Sequence, residues 1–150
     1  MEKIYISKSY EDTQNLAYNI GLKINEPMVF LLSGDLGSGK TTFTQGLAKG
    51  LEITKTISSP TFTIMKNYKG RMILNHIDAY RLESHHQDLG FDELIGSTGV
   101  TVIEWPDYLE ELFPEEYLRI DIKSISKNRR KLIFNPIGLK YEKLIEDLIW

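Results

Sequence analysis

The 150-residue sequence contains no cysteine. This absence excludes disulfide bonds, catalysis by a thiolate and zinc sites with cysteine ligands. The sequence also has no apolar run as long as a membrane span, and its first residues, Met1-Glu2-Lys3-Ile4-Tyr5, lack the apolar core of a signal peptide. We therefore expect a cytoplasmic protein that does not enter a membrane.

A surplus of basic residues is also missing, because 18 Lys and Arg stand against 21 Asp and Glu and the net charge is −3. Proteins that bind nucleic acid on their own usually have such a surplus, since phosphate contacts dominate the affinity. Independent binding of DNA or RNA is therefore disfavoured. The composition, 41% hydrophobic and 26% charged, is typical of a soluble globular domain with a sizeable core.

One glycine-rich stretch organises the rest of the chain. Residues 28–32 are apolar and short enough for a buried strand, residues 34–41 read Gly-x-x-x-x-Gly-Lys-Thr, and residues 42–49 predict a helix closed by Gly50. A strand, a glycine-rich loop and a helix in this order form a P-loop, whose backbone wraps phosphate groups. We predict that this loop, residues 34–41, binds a nucleoside triphosphate.

The residue types of the loop suit that task. Glycine permits the tight backbone, and the first amides of the following helix present its positive end to the phosphates. Lys40 can reach the β- and γ-phosphates, and the Thr41 hydroxyl suits Mg²⁺. The predicted nucleotide-binding residues here are Asp35, Leu36, Gly37, Ser38, Gly39, Lys40, Thr41 and Thr42.

Strand and helix patterns alternate along the chain and predict one domain over residues 1–150. Ser9 is a candidate cap for a helix whose apolar face contains Leu16 and Ile20. The predicted strands are residues 4–6, 28–32, 63–68, 72–77, 100–103, 117–122 and 132–134, and the later helices are residues 83–89, 108–112 and 141–150. The expected fold is an α/β P-loop domain, a three-layer sandwich with a mixed, partly antiparallel sheet.

Two carboxylates follow predicted strands. In P-loop proteins an acid at the end of a core strand near the loop holds Mg²⁺, directly or through water. Glu104 ends the more apolar run, whereas Asp78 ends a hairpin strand with a polar middle, Asn75 and His76, which is more typical of a sheet edge. We assign Glu104 to the metal and Asp78 to the attacking water or the γ-phosphate, although either acid alone could be a strand-end cap.

A hydroxyl-rich stretch precedes the first hairpin. Its side chains are either ordinary loop and strand residues or a switch loop that faces the γ-phosphate. The residues concerned are Ser58, Ser59, Thr61 and Thr63.

The three histidines have structural interpretations as well. His76 lies two residues before Asp78, so it could orient that carboxylate or be a packed core residue. His85 and His86 have no partner at metal-ligand spacing, which favours a solvated surface.

The only basic cluster spans residues 123–131, between the last two predicted strands. A hairpin tip with solvated charges explains it. The alternative is a contact with a nucleotide or with the backbone of a tRNA.

Four stretches together resemble one family, the TsaE (YjeE-type) P-loop ATPases of tRNA threonylcarbamoyladenosine biosynthesis. Their order and spacing agree across almost the whole chain; the first is common to many NTPases, and the other three make the resemblance specific. One departure is Ala79, where the family more often has a bulky apolar residue. The stretches are Gly34-Asp35-Leu36-Gly37-Ser38-Gly39-Lys40-Thr41-Thr42, Ser59-Pro60-Thr61-Phe62-Thr63, His76-Ile77-Asp78-Ala79-Tyr80-Arg81-Leu82 and Ile103-Glu104-Trp105-Pro106.

The resemblance implies a cytoplasmic bacterial ATPase that works with TsaB and TsaD on ATP with Mg²⁺. Such a protein meets tRNA through the complex, contacts no membrane or DNA, and does not transfer the threonylcarbamoyl group itself. The resemblance also implies that Glu104 is the metal-binding acid and that Asp78 and Trp105 are needed for function. By position, Thr13 and Arg129 are the counterparts of the adenine contacts, and Thr61, Thr63 and Trp105 are linked to the switch or to partners.

The predicted reaction is hydrolysis of ATP to ADP and phosphate, with Lys40 and Asp78 as catalytic residues and Thr41 and Glu104 as metal ligands. No arginine finger is identified, which predicts slow hydrolysis by the isolated chain and faster hydrolysis with partners. Two other functions stay open. One is a nucleotide-dependent switch that does not hydrolyse ATP, and the other is a small-molecule kinase, which would need an arginine-bearing lid.

Overall fold

The computed structural model describes residues 2–35, 37–58, 65–80 and 99–148. Within these ranges seven strands form one sheet, in the order β1-β7-β6-β2-β5-β4-β3. The strands are β1 (Lys3–Ser7), β2 (Met28–Ser33), β3 (Met65–Tyr68), β4 (Leu74–Asp78), β5 (Val100–Glu104), β6 (Tyr117–Ser124) and β7 (Arg130–Ile137). The helices are α1 (Tyr10–Lys23), α2 (Lys40–Gly50) and α3 (Leu139–Glu146), with a 3-10 helix at Pro106–Leu112.

The sheet is mixed, as predicted. Strands β6, β2, β5 and β4 are parallel neighbours, while β3 and β7 run antiparallel to the strands beside them. The carboxyl ends of the four parallel strands therefore meet at one edge of the sheet, where ligands of α/β proteins bind. Ser33, Asp78 and Glu104 are the last residues of three of them.

The sheet separates two cores and gives the predicted three layers. The larger core packs α1, α2 and α3 against one face and includes Ile20, Phe43 and Ile145. The smaller core covers the other face around Leu31 and Ile103. Trp105 and Phe113, which flank the 3-10 helix, pack against this smaller core.

The predicted start of α1 is confirmed, because the Ser9 side chain accepts a hydrogen bond from the Asp12 amide at 3.1 Å. The predicted end of α2 is wrong in detail. Gly50 is the last helical residue and Leu51 is the cap. A Cβ on Gly50 would lie 2.5 Å from the Tyr18 carbonyl oxygen, so the glycine serves the close packing of α1 on α2.

The expectation that β4 lies at a sheet edge is also wrong. β4 has β5 on one side and β3 on the other, and its polar residues Asn75 and His76 are buried. Each makes a hydrogen bond to a neighbour, since Asn75 accepts from the Asn67 side chain and Nε2 of His76 bonds Glu104. The polar residues in the middle of β4 therefore indicate hydrogen bonding inside the protein and not exposure to solvent.

No helix within the described residues is long and apolar enough to cross a membrane. The predicted helix over residues 83–89, together with His85 and His86, lies outside the described residues. The same holds for Leu36, Ser59, Thr61 and Thr63.

Candidate nucleotide-binding site

The glycine-rich loop connects β2 to α2 and has the backbone that phosphate binding requires. Gly37 and Gly39 have positive φ angles of 77° and 112°, which residues with a side chain rarely adopt. The Ser38 amide donates to the Asp35 carbonyl at 3.0 Å, and the Phe43 amide donates to the Gly39 carbonyl at 2.9 Å. The loop therefore closes on itself and then opens α2, whose amino end points out of the turn.

A cavity of about 320 Å³ lies in front of this helix end. It brings the predicted phosphate, metal and water-positioning residues together from the loop, α2, and the ends of β4 and β5. Its lining residues are Gly37, Gly39, Lys40, Thr41, Thr42, Asp78, Glu104 and Trp105.

Lys40 is the cation of this cavity, and only 6% of its surface is exposed. Its ammonium group donates to the Gly34 carbonyl and, at 3.5 Å, to the Asp35 carbonyl. It also lies 4.0 Å from the centre of the Trp105 ring, a cation–π contact. Burial lowers the pKa of Lys40, and the nearby carboxylates, Glu104 first, act in the opposite direction.

Asp78 and Glu104 lie side by side, because they are register partners on the parallel strands β4 and β5. Burial raises the pKa of Asp78, and its carboxylate accepts a hydrogen bond from the Tyr80 amide at 3.0 Å. Glu104 is 3% exposed. Two carboxylates therefore face the lysine of the loop, one at the end of each strand.

Of the two interpretations of His76, the buried core residue is confirmed, and its hydrogen-bond partner is Glu104 and not Asp78. Its Nε2 atom hydrogen-bonds Oε2 of Glu104, and both side chains are buried. The residues are diagonal neighbours across β4 and β5, since His76 pairs with Val102 in register. His76 therefore holds the Glu104 carboxylate in place.

Trp105 adopts a left-handed backbone conformation, with φ 56° and ψ 52°. This conformation is an outlier for a bulky residue and is typically kept where the surrounding structure enforces it. It ends β5 and turns the indole toward the loop lysine, where the ring also packs on Tyr80 with centroids 5.1 Å apart. Trp105 therefore belongs to the cavity by contact as well as by sequence position.

The two predicted adenine contacts are not among the residues that line this cavity. Thr13 is 2% exposed, and its hydroxyl group hydrogen-bonds the Ser7 hydroxyl at 2.6 Å. Arg129 lies exposed near the tip of the β6–β7 hairpin, where its amide donates to the Ser126 side chain.

A second cavity of about 550 Å³ lies on the hairpin side of the loop. Asp35 and Ser38 line it together with the carboxyl end of β6. The Ser38 hydroxyl is buried and has no hydrogen-bond partner among the described atoms. The predicted loop residues are thus divided between two neighbouring cavities.

Arg130 is a site residue that the sequence did not single out. Its Nε atom donates to the Ser38 carbonyl at 2.9 Å, and Nη2 donates to the Gly37 carbonyl at 3.4 Å. The sequence showed a basic cluster at a hairpin, which the structure confirms, but it gave no signal that one of its arginines touches the loop 92 residues earlier.

Comparison with known proteins identifies relatives over most of the chain. The family model "Threonylcarbamoyl adenosine biosynthesis protein TsaE" matches residues 7–132. A relative from Bacillus subtilis, named tRNA threonylcarbamoyladenosine biosynthesis protein TsaE, is 48% identical over 121 residues, which are 80% of this chain and 77% of the relative. A protein of the same name from Treponema pallidum is 39% identical over 85% of this chain and 96% of its own.

The fold has a solved counterpart. The crystal structure of YdiB from Bacillus subtilis superposes with a TM-score of 0.84 and 36% sequence identity, covering 98% of this chain and 93% of that one.

Proposed function

Because this chain belongs to the TsaE family of threonylcarbamoyl adenosine biosynthesis proteins, we propose that it binds Mg·ATP and hydrolyses it to ADP and phosphate. One observation carries the proposal. A single cavity collects a buried lysine, Lys40, the Thr41 hydroxyl and two strand-end carboxylates, Asp78 and Glu104, in front of the amino end of α2.

Each group has a task that its position allows. The amides at the start of α2 and the Lys40 ammonium neutralise the β- and γ-phosphate oxygens, where charge develops as the bond to the γ-phosphorus breaks. Asp78 orients the attacking water or senses the γ-phosphate. Its raised pKa is consistent with a partly buried carboxyl that can hold a proton. Water adds to the γ-phosphorus, ADP leaves, and phosphate is the second product.

The donor set fits Mg²⁺. Thr41 and Glu104 offer hard oxygen atoms in the same cavity, and Mg²⁺ typically takes one or two protein oxygens together with phosphate oxygens and water. No group of three or more His, Cys, Asp and Glu suited to a metal exists among the described residues. The ion would supply charge neutralisation at the phosphates, with Thr41 and Glu104 holding it.

The family is named for tRNA threonylcarbamoyladenosine biosynthesis. We propose that the chain acts there with TsaB and TsaD, meets tRNA through that assembly, and does not transfer the threonylcarbamoyl group. The described residues that line the cavity include no arginine. We propose that hydrolysis is slow in the isolated chain and is stimulated by partners. A cytoplasmic location, without membrane or DNA contact, stays a prediction of the sequence.

Phosphate release from Mg·ATP tests the proposal, measured with and without TsaB, TsaD and tRNA. The variants are Glu104→Ala and Asp78→Ala, and Glu26→Gln is the control, since Glu26 is an exposed carboxylate beside Lys140. We expect partners to stimulate the wild type and Glu26→Gln, and both site variants to lose release. ATP binding should survive in Asp78→Ala.

Two outcomes would favour the other functions. Tight ATP binding without phosphate release under any condition would leave the non-hydrolysing switch. Release of ADP without free phosphate, in the presence of an acceptor molecule, would indicate the small-molecule kinase.

A further inference from the structure

Each of the three guanidinium nitrogens of Arg130, the first residue of β7, donates hydrogen bonds to backbone carbonyls. Nη1 donates to the carbonyls of Ser126, at 2.9 Å, Lys127, at 3.3 Å, and Arg129, at 2.9 Å. The other two nitrogens donate to the Gly37 and Ser38 carbonyls of the glycine-rich loop. One guanidinium group therefore joins the tip of the β6–β7 hairpin to the loop.

This pattern differs from that of an ordinary surface arginine. Arg119, on the neighbouring strand, pairs with the carboxylates of Asp107 and Asp121. Among the described residues Arg130 has no carboxylate within salt-bridge distance, and it is partly buried. All of its described hydrogen bonds go to carbonyl groups, and two of those carbonyls belong to the glycine-rich loop.

The planarity of the peptide bond gives these contacts a consequence for the loop. In a trans peptide unit the carbonyl and the N–H group point in opposite directions. The Ser38 carbonyl shares its unit with the Gly39 N–H, so a donor that holds this carbonyl on the hairpin side turns the Gly39 N–H to the opposite side. Gly39 lines the cavity of about 320 Å³ with Lys40 and Thr41.

The guanidinium also polarises that peptide unit. A cation bonded to a carbonyl oxygen strengthens the hydrogen bond that the same unit donates, because hydrogen bonds in chains reinforce one another. Gly39 carries no Cβ, so its own sterics restrict the orientation of this unit less than a side chain would. Arg130 is absent from the residues that line the cavity, so its effect on a bound phosphate passes through the peptide.

From this geometry we infer that Arg130 is a positioning residue of the phosphate-binding loop, which fixes the Ser38–Gly39 peptide so that its N–H group faces the triphosphate. The inference rests on the proposed function, since it requires that the loop binds phosphate. It assigns the basic hairpin a role in the site without a direct contact between Arg130 and the ligand.

The test uses three ligands that share phosphate groups but differ in the nucleoside: ATP, ADP and inorganic tripolyphosphate, each with Mg²⁺. Dissociation constants are measured by calorimetry for the wild type, Arg130→Gln and Arg130→Lys. Lys131→Gln is the matched control, because it removes one positive charge from the adjacent position of the same strand. Circular dichroism and the unfolding midpoint without ligand establish that each variant is folded.

We expect Arg130→Gln to raise the dissociation constants of all three ligands by a similar factor, about tenfold, since each ligand is bound through the loop amides. Arg130→Lys keeps the positive charge but lacks the planar set of N–H donors of a guanidinium group, so it should recover only part of the lost affinity. Lys131→Gln should bind like the wild type. A merely structural role would lower the unfolding midpoint without this common loss of affinity in the folded protein.

Three results would overturn the inference. They are unchanged binding by Arg130→Gln, an equal loss in Lys131→Gln, and a loss for ATP and ADP but not for tripolyphosphate, which would mean a contact with the nucleoside. Failure of the proposed function is recognised separately, because then the wild type itself binds none of the three ligands.

Discussion

At the scale of single residues, the charges of the site oppose the stability of the fold. Burial raises the pKa of Asp78 and lowers that of Lys40, so for both residues the environment disfavours the charged form. Such groups persist where function requires them, and replacing them commonly stabilises a protein while removing its activity. The unfavourable burial of the charged forms of Asp78 and Lys40 therefore supports their assignment to the candidate site, in addition to their location in the cavity.

The pH dependence of Asp78→Asn tests this cost. Because the pKa of Asp78 is raised in the folded state, the native protein binds more protons than the unfolded chain between pH 3.8 and the raised value. The free energy of unfolding of the wild type therefore falls as the pH rises through that window. Asparagine does not titrate and can still accept the Tyr80 N–H, so the variant should lack this fall and be more stable at pH 7.

Urea unfolding of both proteins between pH 4 and pH 8, in the presence of EDTA, measures the difference. A constant gap between the two curves over this range would contradict the prediction.

Whereas burial of the charged forms of Asp78 and Lys40 opposes the stability of the fold, the hydrogen bond between His76 and Glu104 supports it. Nε2 of His76 bonds the buried carboxylate, while Nδ1 has no hydrogen-bond partner among the described atoms. Leucine at position 76 would leave the carboxylate buried and unpaired, and we expect a loss of about 3 kcal/mol in the free energy of unfolding. Denaturant titration measures it.

His76→Gln is the matched control, since glutamine keeps a donor at a similar reach, and its loss should be clearly smaller. Glu104→Gln combined with His76→Leu should cost less than the sum of the two single changes. Additive losses would mean that the two residues contribute independently.

At the scale of elements, the position of the loop depends on how α2 packs against α1. A Cβ on Gly46, in the middle of α2, would lie 2.3 Å from the Gln14 carbonyl oxygen and 2.9 Å from Cβ of Ala17. Arg71, in the connection between β3 and β4, donates to the carbonyls of Gly21, Ile24 and Gly50 at the carboxyl ends of both helices. The two helices are thus held together along their length and at one end.

The sign of the effect of Gly46→Ala distinguishes packing from helix propensity. At an exposed helical position this change stabilises by roughly 0.5–1 kcal/mol, because alanine restricts the unfolded chain. Here the backbone of α1 occupies the space, so we expect a loss of about 1–3 kcal/mol. Lys49→Ala, at an exposed position of the same helix, is the control and should change the free energy of unfolding little.

The elements also show what sequence patterns could and could not predict. Strands, the first helix cap and both hairpins follow from local alternation and turn residues, and Asp78 and Glu104 were placed because each ends its own strand. The order of strands does not follow from local patterns. The location of β4 inside the sheet, the bond between His76 and Glu104, and the contact of Arg130 with Ser38 all depend on register and on distant pairing.

One of these contacts had a usable signal. If β4 and β5 are taken as parallel neighbours that both end on an acid, the alternation of side chains puts His76 on the same face as Glu104 and one diagonal step away. No comparable rule would have found Arg130, since the four basic residues at 127 and 129–131 are equivalent by pattern and only the turn of the hairpin selects one.

At the scale of the whole molecule, the site lies where the loop, two strands and the β6–β7 hairpin meet, so a ligand there links distant parts of the chain. Mg·ATP at a hundred times its dissociation constant would add about 2.7 kcal/mol to the free energy of unfolding. For a domain of this size we expect the unfolding midpoint to rise by about 5–10 °C.

Lys40→Ala should lose most of this rise, because the ammonium group that meets the phosphates is gone. Lys49→Ala, which removes a lysine from the same helix outside the cavity, should retain it. An equal rise in the two variants would mean that ATP binds elsewhere on the protein.

The contact between Trp105 and Lys40 also provides an optical signal. The chain has two tryptophans, so a Trp150→Phe variant would emit from a single indole in contact with Lys40. Indole fluorescence responds to nearby charge and water, and a triphosphate that draws the ammonium away from the ring would change both. Stopped-flow recording of that emission could then follow nucleotide arrival and product departure in real time, without an added dye.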